Sequence, residues 1–400
     1  MDILVVTNSC SQKKYSEICK NRIRAAIDPQ QKFFRLLISG LSAVSEGNVV
    51  ALSALPVSAS TIKQKVFDYE ADISDDGVPY RYLPFRNGKI TRYLSLIFSA
   101  KKYTRRWCKG KNAKNSFIIV DPLVPVIAIP TRKAAQKLGI KVCAVVTDLP
   151  SLSTNMKGRK ENIIKRAFLS IYQHISDVDL HTYDAYITLT KSINDVVNTN
   201  KKQNIVIEGF ADSKDTEISD VHENYIMYAG GIYEKYGVKS LTEAFISLNR
   251  KDLSLYIFGE GPYVKELIKI QETNPNVRYM GCVSPEKVVD YEKRALLLVN
   301  PRPADEEFAK YSFPSKTMEY LLSGTAVAST KLPGIPEEYF KYMYSIDGFT
   351  AKEIQKNLER ILAQPNHVIC EMGKKGHDFV ISKKNNIRMA ENIYKFFREW

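Results

Sequence analysis

Long hydrophobic runs are missing from this sequence. A helix that spans a bilayer needs about 18 or more consecutive apolar residues. The most apolar stretch, Ser116 to Pro130, is shorter and carries Asp121. A secretory leader is not expected either. MDILVVTNS enters a strand-like pattern directly, without the basic, apolar and small-residue succession of a signal peptide, so a cytoplasmic location is expected. Cysteine is sparse, 6 in 400 residues. Cys10, Cys19, Cys108, Cys143, Cys282 and Cys370 form no CxxC pair and no Cys/His cluster, so they read as reduced structural thiols rather than zinc ligands. No GxGxxG follows a strand, which disfavours a nicotinamide cofactor. What is present is ordinary for a soluble globular protein: 44% apolar and 26% charged residues. At 400 residues the chain exceeds one core, so two domains are expected.

Acidic residues are scarce early in the chain. Within a net charge of +14, residues 1–120 hold 20 Lys/Arg against 9 Asp/Glu, and the run Lys101 to Lys111 is the densest. A solvated face explains such a run without any partner. A functional face would meet nucleic acid, anionic phospholipid or a phosphate-bearing substrate. No nucleic-acid motif accompanies it. Tyr93, Leu94, Leu96, Ile97, Phe98 and Trp107 lie alongside, and fit an amphipathic helix at an anionic membrane surface. A peripheral position at the inner face of the cell membrane, with no nucleic-acid partner, is therefore expected.

Short β-branched runs alternate with longer helical stretches, the signature of parallel sheets with crossover helices. Strands are expected at Ile3–Thr7, Asn48–Leu52, Ser116–Val120, Lys141–Thr147 and Ala185–Leu189, with helices at Gln30–Ser45, Arg92–Cys108, Pro125–Leu138 and Arg159–His174. A second series begins at Tyr225, with strands at Tyr225–Ala229, Leu253–Phe258, Val277–Met280, Ala295–Val299 and Ala326–Ser329. The polar stretch Asn198–Asn224 reads as the connection. The expectation is an α/β chain of two doubly wound units: residues 1–210, residues 211–384, and a last helix, 385–400, packed on its own domain or crossing back to the first. Ligands of such units bind at the C-terminal ends of the strands.

Four motifs carry chemistry. Gly230-Gly231, between a strand and Ile232-Tyr233-Glu234-Lys235-Tyr236-Gly237, lets backbone approach a bound group, and the helix beyond points N–H groups at it. That suits a diphosphate, although a plain turn needs the same residues. Phe258-Gly259-Glu260-Gly261-Pro262 is a second strand-turn-helix, and Gly281-Cys282-Val283-Ser284 exposes backbone able to read the edge of a base. In Phe313-Pro314-Ser315-Lys316-Thr317-Met318-Glu319-Tyr320, Pro314 starts a short helix and Gly324 ends it. Lys316 and Glu319, three apart, share one side of that helix. A cation there can meet a phosphate, and a carboxylate can accept both hydroxyls of a ribose. A surface ion pair would look the same in isolation.

Together, in this order and spacing, these motifs resemble the C-terminal domain of the GT-B glycosyltransferases, specifically family 4 of the retaining enzymes. The similarity runs from Tyr225 through Gly237-Val238, Gly259 to Pro262 and Pro314-Ser315-Lys316 to Gly334-Ile335-Pro336-Glu337. It implies a GT-B fold with two Rossmann-like domains facing each other across a cleft. It implies a nucleotide-sugar donor held by the second domain, a glycan or lipid-linked acceptor held by the first, and no metal or other cofactor. Glu319 would bind the donor ribose and the backbone near Cys282-Val283 the base. Gly230-Gly231 would lie under the diphosphate and the loop from Gly334 near the sugar. Ser315 and Gly259 complete the expected donor site.

Three departures stand out. The family's basic residues after the first glycine and five positions on are Gly231 and Tyr236 here. Tyr311 stands where the first of two glutamates is usual, and the strand that often precedes a histidine ends Val146-Thr147-Asp148-Leu149-Pro150. Lys316 is accordingly assigned the phosphate, Arg302 a supporting role, and Asp148 a place near acceptor or sugar. The variant pattern looks like a subset tied to bacterial surface polysaccharides. Two further readings stay open: a nucleotide-sugar epimerase or hydrolase on the same fold, and a catalytically degenerate relative serving as a partner in a polysaccharide assembly complex.

Overall fold

The structure is a computed structural model. It describes residues 1–23, 30–149 and 163–400, and in the helix that begins at Ile163 the side chains from residue 170 onward. The chain separates into two compact units, Met1–Phe210 with Asn386–Trp400, and Ala211–Asn385.

In the first unit the strands are β1 (Asp2–Thr7), β2 (Val49–Ser53), β3 (Val66–Phe67), β4 (Glu70–Ile73), β5 (Pro79–Tyr82), β6 (Phe85–Arg86), β7 (Ser116–Val120), β8 (Lys141–Val146), β9 (Ala185–Thr188) and β10 (Gln203–Val206). Eight form one sheet in the order β10-β9-β8-β7-β1-β2-β5-β4. Only β4 is antiparallel to its neighbour. The central strands are buried on both faces, as in SFIIV of β7, which is why they read as unbroken apolar runs. The last helix, Asn386–Glu399, groups with this unit. It lies against Gln30–Val44 so closely that a Cβ on Gly40 would stand 2.2 Å from the Asn386 carbonyl oxygen, and Phe397 stacks on Phe117 at 5.0 Å. The stretch read as a connection contains β10, an edge strand paired with β9; its exposed Gln203 and Asn204 disguised it. The short strands β3 to β6 carry too few residues to announce a period. The helix expected at Arg159–His174 starts outside the described residues; the described part is Ile163–Leu180.

The second unit holds β11 (Glu223–Ala229), β12 (Ser254–Phe258), β13 (Val277–Gly281), β14 (Ala295–Asn300), β15 (Ala326–Thr330) and β16 (Tyr344–Ile346). All are parallel, in the order β13-β12-β11-β14-β15-β16. The chain winds outward from β11 to β13, then returns to lay β14 on the other side of β11. The strand order therefore reverses between β11 and β14, the place where open parallel sheets bind ligands. Ile226, Leu255, Ile257, Leu297 and Val299 fill the core against Leu241, Phe245 and Leu358 of the covering helices. Each such side chain contributes about 1.5–3 kcal/mol by leaving water.

Candidate functional site

The site in the second unit is built on the ends of β11 and β14. The chain leaves β11 at Ala229 and turns at Gly230-Gly231, and this turn is held from three sides. The Gly230 N–H donates to the Phe258 carbonyl at 3.0 Å. The Tyr228 hydroxyl donates to the Gly231 carbonyl at 2.9 Å. The Tyr320 hydroxyl accepts from the Ala229 N–H at 2.8 Å and donates to the Ala229 carbonyl at 3.2 Å. Tyr320 is fully buried on the helix Ser315–Leu322. One phenol thus fixes the helix that carries Lys316 and Glu319 against the glycine turn. No side chain caps that helix at its start, and Ser315 is exposed there.

Lys316 Nζ lies 2.8 Å from Glu319 Oε2 and 3.8 Å from Glu292 Oε1. The Lys316 and Glu319 side chains are 34% and 30% exposed, whereas Glu292 is 1% exposed. Burial opposes the charge on Lys316, but Glu319 and Glu292 overcome it and hold its pKa above the ordinary lysine value. Glu292 was not read from the sequence. The signal was there: in the helix Pro285–Arg294 it falls one turn after Val288, which puts a carboxylate on the inward face.

Arg302 follows β14. Its guanidinium carbon lies 4.8 Å from the centre of the Tyr236 ring and 4.6 Å from that of Phe308, within cation–π range. Burial lowers its pKa, and Tyr236, Tyr228 and Glu306 restore part of it. The Thr330 hydroxyl donates to the Arg302 carbonyl at 2.5 Å and anchors the loop. Tyr236, which stands in one of the two expected basic positions, therefore seats an arginine from the loop after β14. Lys235 lies over the same Tyr236 ring at 5.4 Å but is exposed. At Tyr311, in place of a carboxylate, the Lys310 ammonium lies 4.9 Å from the ring centre.

Two of the expected glycines have a packing reason of their own. A Cβ on Gly259, whose φ is +127°, would stand 1.9 Å from the Gly230 carbonyl oxygen. One on Gly334 would stand 2.1 Å from the Ser312 carbonyl oxygen. Backbone lies on backbone at both places, so any side chain would push the glycine turn or the helix start out of position. The Gly259 N–H also donates to the Gly281 carbonyl at 2.9 Å, tying this turn to the loop of exposed Cys282 and half-buried Val283.

Asp148 belongs to the first unit, just beyond β8. Burial pushes its carboxyl up, and the Leu149 N–H, 2.8 Å from Oδ1, offsets part of the shift. In the same unit Asp121 follows β7 and is fully buried. Desolvation raises its pKa to about 7, only partly opposed by the Leu123 N–H, and its Oδ2 has no hydrogen-bond partner. Among the described residues no group of three or more His, Cys, Asp or Glu is arranged to hold a metal ion.

The fold is that of GT-B glycosyltransferases. Sucrose-phosphate synthase from Thermosynechococcus elongatus superposes with a TM-score of 0.67 at 14% identity, over 100% of this chain and 99% of its own. Anabaena Alr3699/HepE, in complex with UDP, gives 0.59 at 10% identity over 100% of both chains. The lipopolysaccharide outer core galactosyltransferase WaaB gives 0.58 at 12% identity, over 100% of this chain and 99% of its own. At such identities the likeness is one of fold. In sequence, residues 223–364, which contain every element of the site in the second unit, match the family Glycosyl transferases group 1. No curated protein sequence matches the chain.

Proposed function

We propose that the chain is a retaining glycosyltransferase that moves a sugar from a nucleotide-sugar donor to a glycan or lipid-linked acceptor in surface polysaccharide synthesis. One observation carries this reading: a glycine turn at the reversal of strand order, locked by Tyr320 to the helix that presents Lys316 and Glu319. Glu319 accepts the two ribose hydroxyls, and backbone at Cys282-Val283 reads the base. Gly230-Gly231 underlies the diphosphate, and cations offset the charge that grows on it as the sugar departs. The complex of the Anabaena neighbour with UDP supports a nucleotide ligand. The acceptor attacks from the face the diphosphate leaves, with no metal required, and Asp148 is proposed as the group that serves acceptor or sugar. The test is transfer from labelled nucleotide sugars with and without a glycan acceptor, followed by NMR of the product. A product of inverted anomeric configuration refutes the mechanism. Donor turnover to an epimer without acceptor refutes the transferase reading.

The proposed location is cytoplasmic and peripheral, on an anionic membrane surface and with no nucleic-acid partner. No described helix is long and apolar enough to cross a membrane. The helix Thr91–Cys108 has no acidic residue. Along one exposed stripe it presents Leu94 and Phe98, then Lys101 and Arg105, with Ile97 and Lys102 beside them. Its neighbour, touching through Tyr93 and Tyr172, exposes Ile171, Ile175 and Val178. Apolar residues beside cations suit a surface of lipid tails under anionic headgroups.

A further inference from the structure

The two cations near the donor site are held in opposite ways. Lys316 is already committed, with Glu319 at 2.8 Å and Glu292 at 3.8 Å. One ammonium between two carboxylates has little charge to spare for a third anion. Glu292, at 1% exposure, is shut away from solvent and keeps drawing Lys316 inward. The direct consequence falls on Glu319: its carboxylate, a third exposed, is pinned by a lysine that is itself pinned from behind. Arg302 is held by two rings instead of an ion pair, and Glu306 acts on it only through space. One of its donors engages the Tyr236 hydroxyl, but a guanidinium has five N–H groups in one plane, matched to phosphate oxygens. It follows β14 while Gly230-Gly231 follows β11, so the two flank the reversal of strand order. Tyr236 brings them together: a Cβ on Gly231 would stand 3.1 Å from its ring.

We propose that Arg302 is the cation that meets the donor diphosphate, and that Glu292 and Lys316 are positioning residues that fix the Glu319 carboxylate for the donor ribose. This rests on the transferase reading and reverses the roles expected from the sequence, where Lys316 takes the phosphate. The test is calorimetric titration of the full chain with uridine, guanosine and adenosine and with their diphosphates. For the base that binds, nucleoside affinity reports the ribose site, and the ratio of diphosphate to nucleoside affinity reports the phosphate contact. Arg302→Ala is expected to lower the ratio about tenfold or more and leave nucleoside affinity within about twofold. Arg302→Gln, which keeps part of the aliphatic stem and a planar polar end without the charge, is expected to do the same, and serves if the alanine variant unfolds. Lys316→Ala and Glu292→Gln are expected to weaken nucleoside binding, about tenfold for the first, with the ratio kept. Lys316→Arg should recover most of the loss. A ratio that collapses in Lys316→Ala and holds in Arg302→Ala overturns the inference. If the native chain binds none of the six compounds, the transferase reading fails along with it.

Discussion

Replacing Tyr320 by phenylalanine removes one oxygen atom from a fully buried position and leaves the ring in place, so no cavity of consequence forms. What is lost is the partner of both backbone groups of Ala229, at 2.8 and 3.2 Å. A buried polar group left unsatisfied costs about 1–3 kcal/mol, so the pair costs about 2–6 kcal/mol. For a unit the size of residues 211–385, each kcal/mol lowers the unfolding temperature by about 2–4 °C, so a fall of about 4 °C or more is expected. Differential scanning calorimetry of the full chain measures it. Tyr344→Phe is the control: its hydroxyl meets the Gln364 side chain, at 3.1 Å and partly exposed, and should cost less than about 1 kcal/mol. Because the same hydroxyl joins the glycine turn to the Glu319 helix, nucleotide affinity measured well below the transition should fall as well. An unfolding temperature within about 1 °C of native would show that the hydroxyl does not tie helix to strand, and the site would lose its geometric basis.

Other changes follow from the same residues. Glu319→Ala removes a charge-assisted acceptor, so donor binding should weaken about 30-fold or more in a folded protein; calorimetric titration checks it, and unchanged affinity makes the ribose assignment wrong. Asp121 has a folded pKa of about 7, above its unfolded value, so the native state binds the extra proton. Its contribution is full at low pH and is lost as pH rises through 7, with a slope of up to about 1.4 kcal/mol per pH unit between pH 4 and 7. Asp121→Asn, which keeps the acceptor for the Leu123 N–H, should flatten that slope and raise the unfolding temperature at pH 8; a slope equal to native would refute the assignment. Neutralising Lys101, Lys102, Arg105 and Arg106 should reduce sedimentation with anionic vesicles, each charge near the surface being worth about 1 kcal/mol and screened by salt. Equal binding of the native chain to neutral and anionic vesicles would count against a membrane role.

The parallel strands were legible because burial on both faces leaves an unbroken apolar run, as in ALLLVN of β14, and because glycine turns punctuate their ends. The helix of Lys316 and Glu319 was legible from Pro314 and Gly324. Edge elements were not: β10 is four residues long, two exposed polar ones followed by two half-buried ones, and Lys191–Val197 is only seven residues long. The electrostatics of the site were the least legible part. Glu292 reaches Lys316 across 24 positions of chain, and no local period reports such a pairing. Tyr236 looked like the loss of a cation. Its use as a seat for Arg302 depends on Phe308, from a third segment, whose ring meets Tyr236 edge-on and lies equally close to the guanidinium. Gly259 and Gly334 suggested approach to a ligand, whereas the close approach present in the structure is backbone to backbone.

The most direct measurement is a thermal shift of the full chain against uridine, guanosine and adenosine diphosphates. A ligand that binds only the native state raises stability, by about 2.7 kcal/mol at 100 times its dissociation constant. One of the three is expected to raise the unfolding temperature of the native chain by several degrees, and to raise that of Glu319→Ala much less. If none of the three shifts the native chain at millimolar concentration, the second unit does not hold a nucleotide donor, and the proposed activity is contradicted.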